Sequence, residues 1–270
     1  MGSREVTAFA VLPVVLAGIV FLPPAVYLAA VWVMALLAAW ELVALFRRLA
    51  HPVPVAPTLV AVAVGLPLLW WGGLPRAGWV LAAVVLLLPL VYLLSPAPIR
   101  GAAAGMAGGV LAATYFLVAA GGMGFLRTAF ADALGWKVVL AHCLTIWAGD
   151  SGAYYVGSRF GRHRLSPRVS PKKSWEGAAG GTALTLVGIA FCRTVFFPEL
   201  SWTTALALAA LLAVLAPLGD LVESLFKRDA GVKDSSDLIP GHGGFLDRTD
   251  SLFYAAPFVL ALLLLLGVGR

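Results

Sequence analysis

Charge is what this chain has least of. Only 12% of its 270 residues are Asp, Glu, Lys or Arg, whereas 61% are hydrophobic. An ordinary soluble domain carries about 25% charged residues. A surface this poor in ionic groups cannot be wetted on every side, which excludes a cytosolic enzyme and a disordered regulator. Cysteine is nearly absent too. Cys143 and Cys192 both sit in apolar stretches, so the disulfide framework of a secreted domain is excluded. The four histidines are scattered and make no zinc-type cluster with them. No solenoid-type repeat and no inverted pair of halves of the transporter kind can be recognised.

What the chain has in abundance is apolar length. A helix needs about 20 mostly apolar residues to cross a hydrocarbon layer roughly 30 Å thick. Nine runs satisfy that, at about 6–22, 25–46, 56–72, 77–95, 101–121, 137–157, 175–195, 201–226 and 248–268. Pro23 and Pro24 separate the first two and allow a tight reversal. No polar stretch with a small-residue cleavage site follows Leu22, so the first run reads as a retained helix rather than a signal peptide. The expected fold is an all-α polytopic integral membrane protein of about nine transmembrane helices. Residues 1–100 then hold helices one to four, and 101–200 helices five to seven with a basic loop. Residues 201–270 hold the last two helices and the loop between them.

The basic residues choose an orientation. With the N-terminus in the cytoplasm and the C-terminus outside, fourteen of the 19 Lys and Arg residues face the cytoplasm. The exceptions are Arg76, Arg127, Lys137, Arg193 and Arg270. Two cytoplasmic loops, at about 158–174 and 227–247, are long and polar. Their positive charge fits simple topology and attraction to anionic headgroups, or a site for a polyanionic substrate.

The acidic residues sharpen that choice, because carboxylates in spanning segments usually mark a cavity or a partner. Glu41 fits a structural ion pair with Arg48, two turns along its helix. The C-terminal set is different. Asp220, Glu223, Ser224 and Lys227 fall at i, i+3, i+4 and i+7, one stripe of a helix, and Asp247, Asp250, Ser251 and Tyr254 repeat that spacing. Two antiparallel helices would bring these carboxylates together, and all-oxygen ligands suit Mg2+ better than zinc. Asp150, among the small residues of Trp147–Tyr154, is expected at similar depth beside a cavity.

Two segments suit phosphate. One is Lys227-Arg228-Asp229-Ala230-Gly231-Val232-Lys233-Asp234 followed by Pro240-Gly241-His242-Gly243-Gly244, where glycines let backbone amides approach an anion. The other is Ser170-Pro171-Lys172-Lys173-Ser174-Trp175-Glu176-Gly177, with Ser174 as N-cap of the seventh helix. Gly101, Gly105 and Gly109 read as a close-packing face. Trp70, Trp71 and Trp79 read as interfacial anchors. His51, His142 and His163 show no evident partner.

Taken together, Ser224–Arg228, Lys233-Asp234, Leu238–Gly244 and Asp247-Arg248-Thr249-Asp250 resemble the signature of the phosphatidate cytidylyltransferases, the CDP-diacylglycerol synthases. Gly149–Tyr154, Ser170–Gly177 and Gly219-Asp220 resemble the family's other motifs. The close match covers roughly 150–250. It implies a polytopic nucleotidyltransferase of phospholipid biosynthesis. Such an enzyme joins CTP to phosphatidate with Mg2+, can also use a monovalent cation such as K+, and forms homodimers. No nucleic acid partner is expected. The implied location is the cytoplasmic membrane, with the site facing the cytoplasm.

By this resemblance Asp220 and Asp247 are the acidic metal-binding positions; the chemistry of the neighbouring acids suggests that Glu223, Asp150 and Asp250 would complete the first or second shell. Lys227, Arg228 and Lys173 would bind phosphate oxygens, with Lys172 and Arg248 as further basic contacts. Ser170, Ser224 and His242 would hydrogen-bond substrate. Two rivals remain: a CTP-dependent lipid kinase and a cation-coupled transporter.

Overall fold

The computed structural model describes residues 3–96, 98–239, 241 and 243–269. Its described residues form nine helices: α1 (Ser3–Phe21), α2 (Pro24–Arg48), α3 (Val55–Gly72), α4 (Leu74–Leu93), α5 (Ala102–Thr128), α6 (Asp132–Phe160), α7 (Trp175–Val195), α8 (Trp202–Asp229) and α9 (Leu246–Leu265). Each falls on one of the nine apolar runs. Seven of them, α2 to α5 and α7 to α9, are long and apolar enough to cross a membrane. Large aliphatic and aromatic side chains lie open on these helices, with Leu93 at 76% and Trp71 at 87% exposure. Exposed apolar surface on that scale needs lipid as its solvent. The protein is a helical, multi-pass membrane protein.

It is not wholly α. The loop expected at 158–174 folds into an antiparallel hairpin, β1 (Arg164–Ser166) and β2 (Ser170–Ser174), in which Ser166 pairs with Ser170 and Arg164 with Ser174. Pro167 lies in the turn between the strands, and Pro171, within β2, has no amide hydrogen to give the ladder.

The chain divides into two compact units. The first comprises Met1–Pro24, Phe125–Leu225 and Asp250–Arg270. Its centre is the α6–α7 pair. Gly157 and Gly177 meet backbone to backbone there, and a Cβ on Gly177 would stand 2.9 Å from the Ala153 carbonyl and 3.1 Å from Gly157 Cα. The glycines around Asp150 therefore serve helix contact first. Ser174 caps α7 as expected, its Oγ accepting from Gly177 N at 3.1 Å.

The second unit comprises Ala25–Gly124 and Phe226–Thr249. The Gly101–Gly109 ladder is a close-packing face, but its neighbour is the chain entering α3. A Cβ on Gly105 would lie 2.6 Å from the Pro52 carbonyl oxygen. Trp71 and Trp79 are exposed, whereas Trp70 is half-buried. Its Nε1 donates to Gly121 O at 3.2 Å, because α5 is glycine-rich enough there to admit an indole.

Candidate active site

In the first unit, Asp220 and Glu223 share one face of α8, and Asp250 approaches from α9. One carboxylate oxygen from each lies within 4.8 Å of the other two. Gly219 makes this possible, since a Cβ there would be 2.7 Å from Tyr254 Cβ and 3.1 Å from Asp250 O. Ser251 Oγ fastens the same crossing by donating to Ala216 O at 2.9 Å. Two unit charges about 4 Å apart repel by about 4 kcal/mol near a protein surface. Three carboxylates so placed could share a cation, and their hard oxygen donors match magnesium chemistry.

One positive charge is already present. Lys173, on β2, places Nζ 2.7 Å from Asp220 Oδ2 and 3.2 Å from Pro217 O. Ser224 Oγ donates to Asp220 Oδ1 at 3.1 Å. The hairpin that carries Lys173 is held by Glu176. That carboxylate accepts from the amides of Arg162 and His163 and pairs with His163 Nδ1 at 2.6 Å. Beside this group a cleft is lined by Asp150 and Gly149 of α6, Thr182 and Thr185 of α7, and Pro217 of α8. Asp150 is exposed and lines that cleft.

In the second unit, Lys227 and Asp247 form a buried ion pair at 2.5 Å, with side chains 9% and 5% exposed. The other oxygen of Asp247 accepts from Ser235 N at 2.9 Å, Ser235 Oγ at 2.6 Å and Gly244 N at 2.8 Å. The amide of Gly244, offered by sequence to an anion, is thus spent on Asp247. Gly243 takes φ +78°, and a Cβ there would press to 2.7 Å from Asp247 Oδ2. Glu41 is fully buried in the same unit. It accepts from Ser236 Oγ (2.5 Å), Phe245 N (3.1 Å) and Leu246 N (2.7 Å), and Ser235 Oγ lies 3.0 Å away with its one hydrogen shared with Asp247.

A cytidylyltransferase family profile matches residues 2–266. The phosphatidate cytidylyltransferase of Pseudomonas aeruginosa is 36% identical over 283 aligned positions, covering 99% of this chain and 98% of that protein. The chain belongs to the cytidylyltransferase family. The Mycobacterium tuberculosis phosphatidate cytidylyltransferase is 34% identical over 263 positions, covering 93% of this chain and 79% of its own. The Haemophilus influenzae enzyme of that name reaches 51%, over 119 positions covering 43% of this chain and 41% of its own.

Within this cytidylyltransferase, the predicted site residues fall into distinct environments. Asp220, Glu223 and Asp250 converge, with Lys173 and Ser224 on Asp220. Asp247 instead has both oxygens engaged by Lys227, Ser235 and Gly244. Arg228 is exposed and donates to Val232 O at 2.8 Å. Lys172 and Arg248 are exposed, and Ser170 is half-buried in the hairpin. His242 lies outside the described residues.

Three expectations need correcting. Glu41 makes no ion pair with Arg48, which is exposed; its four partners are loop hydroxyls and amides. His142 has a partner, with Nε2 2.9 Å from Leu252 O, and His163 has Glu176. Glu41 and Ser235 are the residues that sequence reasoning missed. A lone acid inside an apolar helix was the available signal.

Proposed function

We propose that the protein transfers CMP from CTP to phosphatidate, releasing pyrophosphate and forming CDP-diacylglycerol for phospholipid synthesis. Its membership of the cytidylyltransferase family and its likeness to phosphatidate cytidylyltransferases support that reaction. The observation that carries it to a site is the convergence of Asp220, Glu223 and Asp250, with Lys173 on Asp220.

A phosphatidate oxygen forms a bond to the α-phosphorus of CTP, and the bond from that phosphorus to the bridging oxygen of pyrophosphate breaks. The second pKa of a phosphomonoester is about 6, so the nucleophile is already largely ionised near neutral pH. No strong general base is required of the protein. The barrier lies in bringing two polyanions together and holding them in line. Mg2+ held by Asp220, Glu223 and Asp250 would supply charge neutralisation at the nucleotide phosphates. Lys173 contributes a positive charge beside the acids, and Ser224 holds Asp220 in place. Lys227 and Arg228 remain proposed phosphate contacts, with Asp247 setting the position of Lys227. Asp150 presents a further carboxylate in the neighbouring cleft.

The same reading places the protein in the cytoplasmic membrane with nine spans, the N-terminus and site inside, and the C-terminus outside. Fourteen of 19 basic residues on the inner side support it. A monovalent cation such as K+ and a homodimeric assembly belong to this proposal as well.

The test is purified, detergent-solubilised protein supplied with phosphatidate and CTP labelled at the α-phosphorus, with and without Mg2+. Label entering lipid only with Mg2+ is the expected result. In a parallel reaction supplied with a lipid alcohol, labelled CDP with the terminal phosphate passing to that alcohol would make the protein a lipid kinase instead. Turnover of neither kind in folded protein would reopen the transporter reading.

A further inference from the structure

Glu41 is a fully buried acid whose partners among the described residues include no cation. Leaving a carboxylate in a protein interior is costly unless donors satisfy it. Here Ser236 Oγ and Phe245 N donate to Oε1 and Leu246 N to Oε2, while the one hydroxyl hydrogen of Ser235 is shared between Oε2 and the nearer Asp247 Oδ2. Ser235, Ser236 and Phe245 belong to the segment that joins α8 to α9 and Leu246 is the first residue of α9, whereas Glu41 belongs to α2. Phe245 and Leu246 sit at the start of α9, where amides have no partner within the helix and negative charge is favoured. Glu41 therefore caps α9 from another helix.

Ser235 links this cap to the Lys227–Asp247 pair. Its Oγ lies 3.0 Å from Glu41 Oε2 and 2.6 Å from Asp247 Oδ2, and its amide also donates to Asp247. Gly244 is the point of closest approach, because a Cβ there would overlap both Glu41 and Ser235. With the cap in place, Ser235 and Gly244 point their donors at Asp247.

We propose that Glu41 is a positioning residue for the cytidylyl transfer. It fixes Ser235, Ser236 and the Phe245–Leu246 start of α9 and, through Ser235, the orientation of Asp247 and its partner Lys227. The catalytic part of this rests on the function proposed above, while the fixing of the loop does not.

Glu41→Gln keeps the side chain's size but turns an amide NH2 toward two donors. Hydrogen exchange followed by mass spectrometry on the intact protein reads the loop directly. Peptides covering 235–246 in Glu41→Gln should exchange at least about tenfold faster, the factor that corresponds to 1.4 kcal/mol. Peptides from α6 and α7 should be unchanged. In the CTP assay the folded variant should show KM for CTP raised about tenfold or more, with KM for phosphatidate near wild type. A merely structural role would lower the folded fraction without that split.

Wild-type exchange in the loop would overturn the proposal, as would a loosened loop with unchanged KM for CTP. Ser236→Ala removes a single donor and serves if Glu41→Gln does not fold. It should shift loop exchange and KM for CTP the same way by about twofold to threefold, and no shift in either would count against the proposal. If wild-type protein is folded yet inert toward CTP and phosphatidate, the reaction reading fails. The exchange experiment then decides the loop-fixing role by itself.

Discussion

Lys173 of the β-hairpin and Asp220 of α8 form an ion pair, Nζ to Oδ2, at 2.7 Å. The contact ties the loop that follows α6 to the acidic group on α8, within one unit of the protein. It also sets the local charge balance. It brings a cation directly against one of three carboxylates that lie close enough together to share a metal ion.

Asp220 is the most consequential of the three acids, since it meets Lys173, Ser224 and the other carboxylates. Asp220→Asn should lower turnover by about 10²–10³ at saturating Mg2+, the scale of losing one group aimed at reaction charge. The protein should still insert and melt cooperatively. Near-normal turnover in a folded variant would remove Asp220 from the cation site.

Cation binding should also be visible without turnover. A ligand at 100 times its dissociation constant stabilises the folded state by about 2.7 kcal/mol. Adding Mg2+ to chelator-treated wild-type protein should raise its melting temperature. Asp250→Asn and Glu223→Gln should reduce that rise while leaving the chelated protein near wild type. An equal rise in both variants would place the cation elsewhere.

Gly219 sets the distance between α8 and α9 at this point. A methyl group there would meet Tyr254 Cβ at 2.7 Å, and overpacking of this kind costs about 1–3 kcal/mol. Gly219→Ala should lower the melting temperature and raise the Mg2+ concentration needed for half-maximal turnover. An unchanged Mg2+ dependence would mean that the helix separation does not govern the acidic group.

Lys227 and Asp247 should behave as a buried pair. Removing one partner of such a pair typically costs about 3–5 kcal/mol, because the other is left uncompensated. Lys227→Ala should therefore destabilise the protein as well as weaken CTP use. The Lys227→Ala, Asp247→Ala double variant should lose less stability than the single losses added together. Strict additivity in thermal melts would show that the pair contributes no coupling.

Much of this was legible in the sequence. The nine helices follow from runs of about 20 apolar residues, a length imposed by the bilayer and readable locally. The acidic stripe of Asp220 and Glu223 follows from helical spacing, and the Ser174 cap from its position before α7. Family membership followed from fixed spacing of polar residues through the C-terminal half.

The partners of Glu41 were not legible, since they lie 194 to 205 residues further along the chain. No local period reports such a contact. The hairpin at 164–174 was hidden because it is short, polar and held largely by Glu176. Asp247 and Asp250, three residues apart in one signature, enter different bonding groups once Gly219 and Ser235 have packed. Sequence determined which polar residues this membrane protein carries and on which helices they lie. Tertiary structure alone decided their partners, because a buried carboxylate takes whichever donors packing delivers to it.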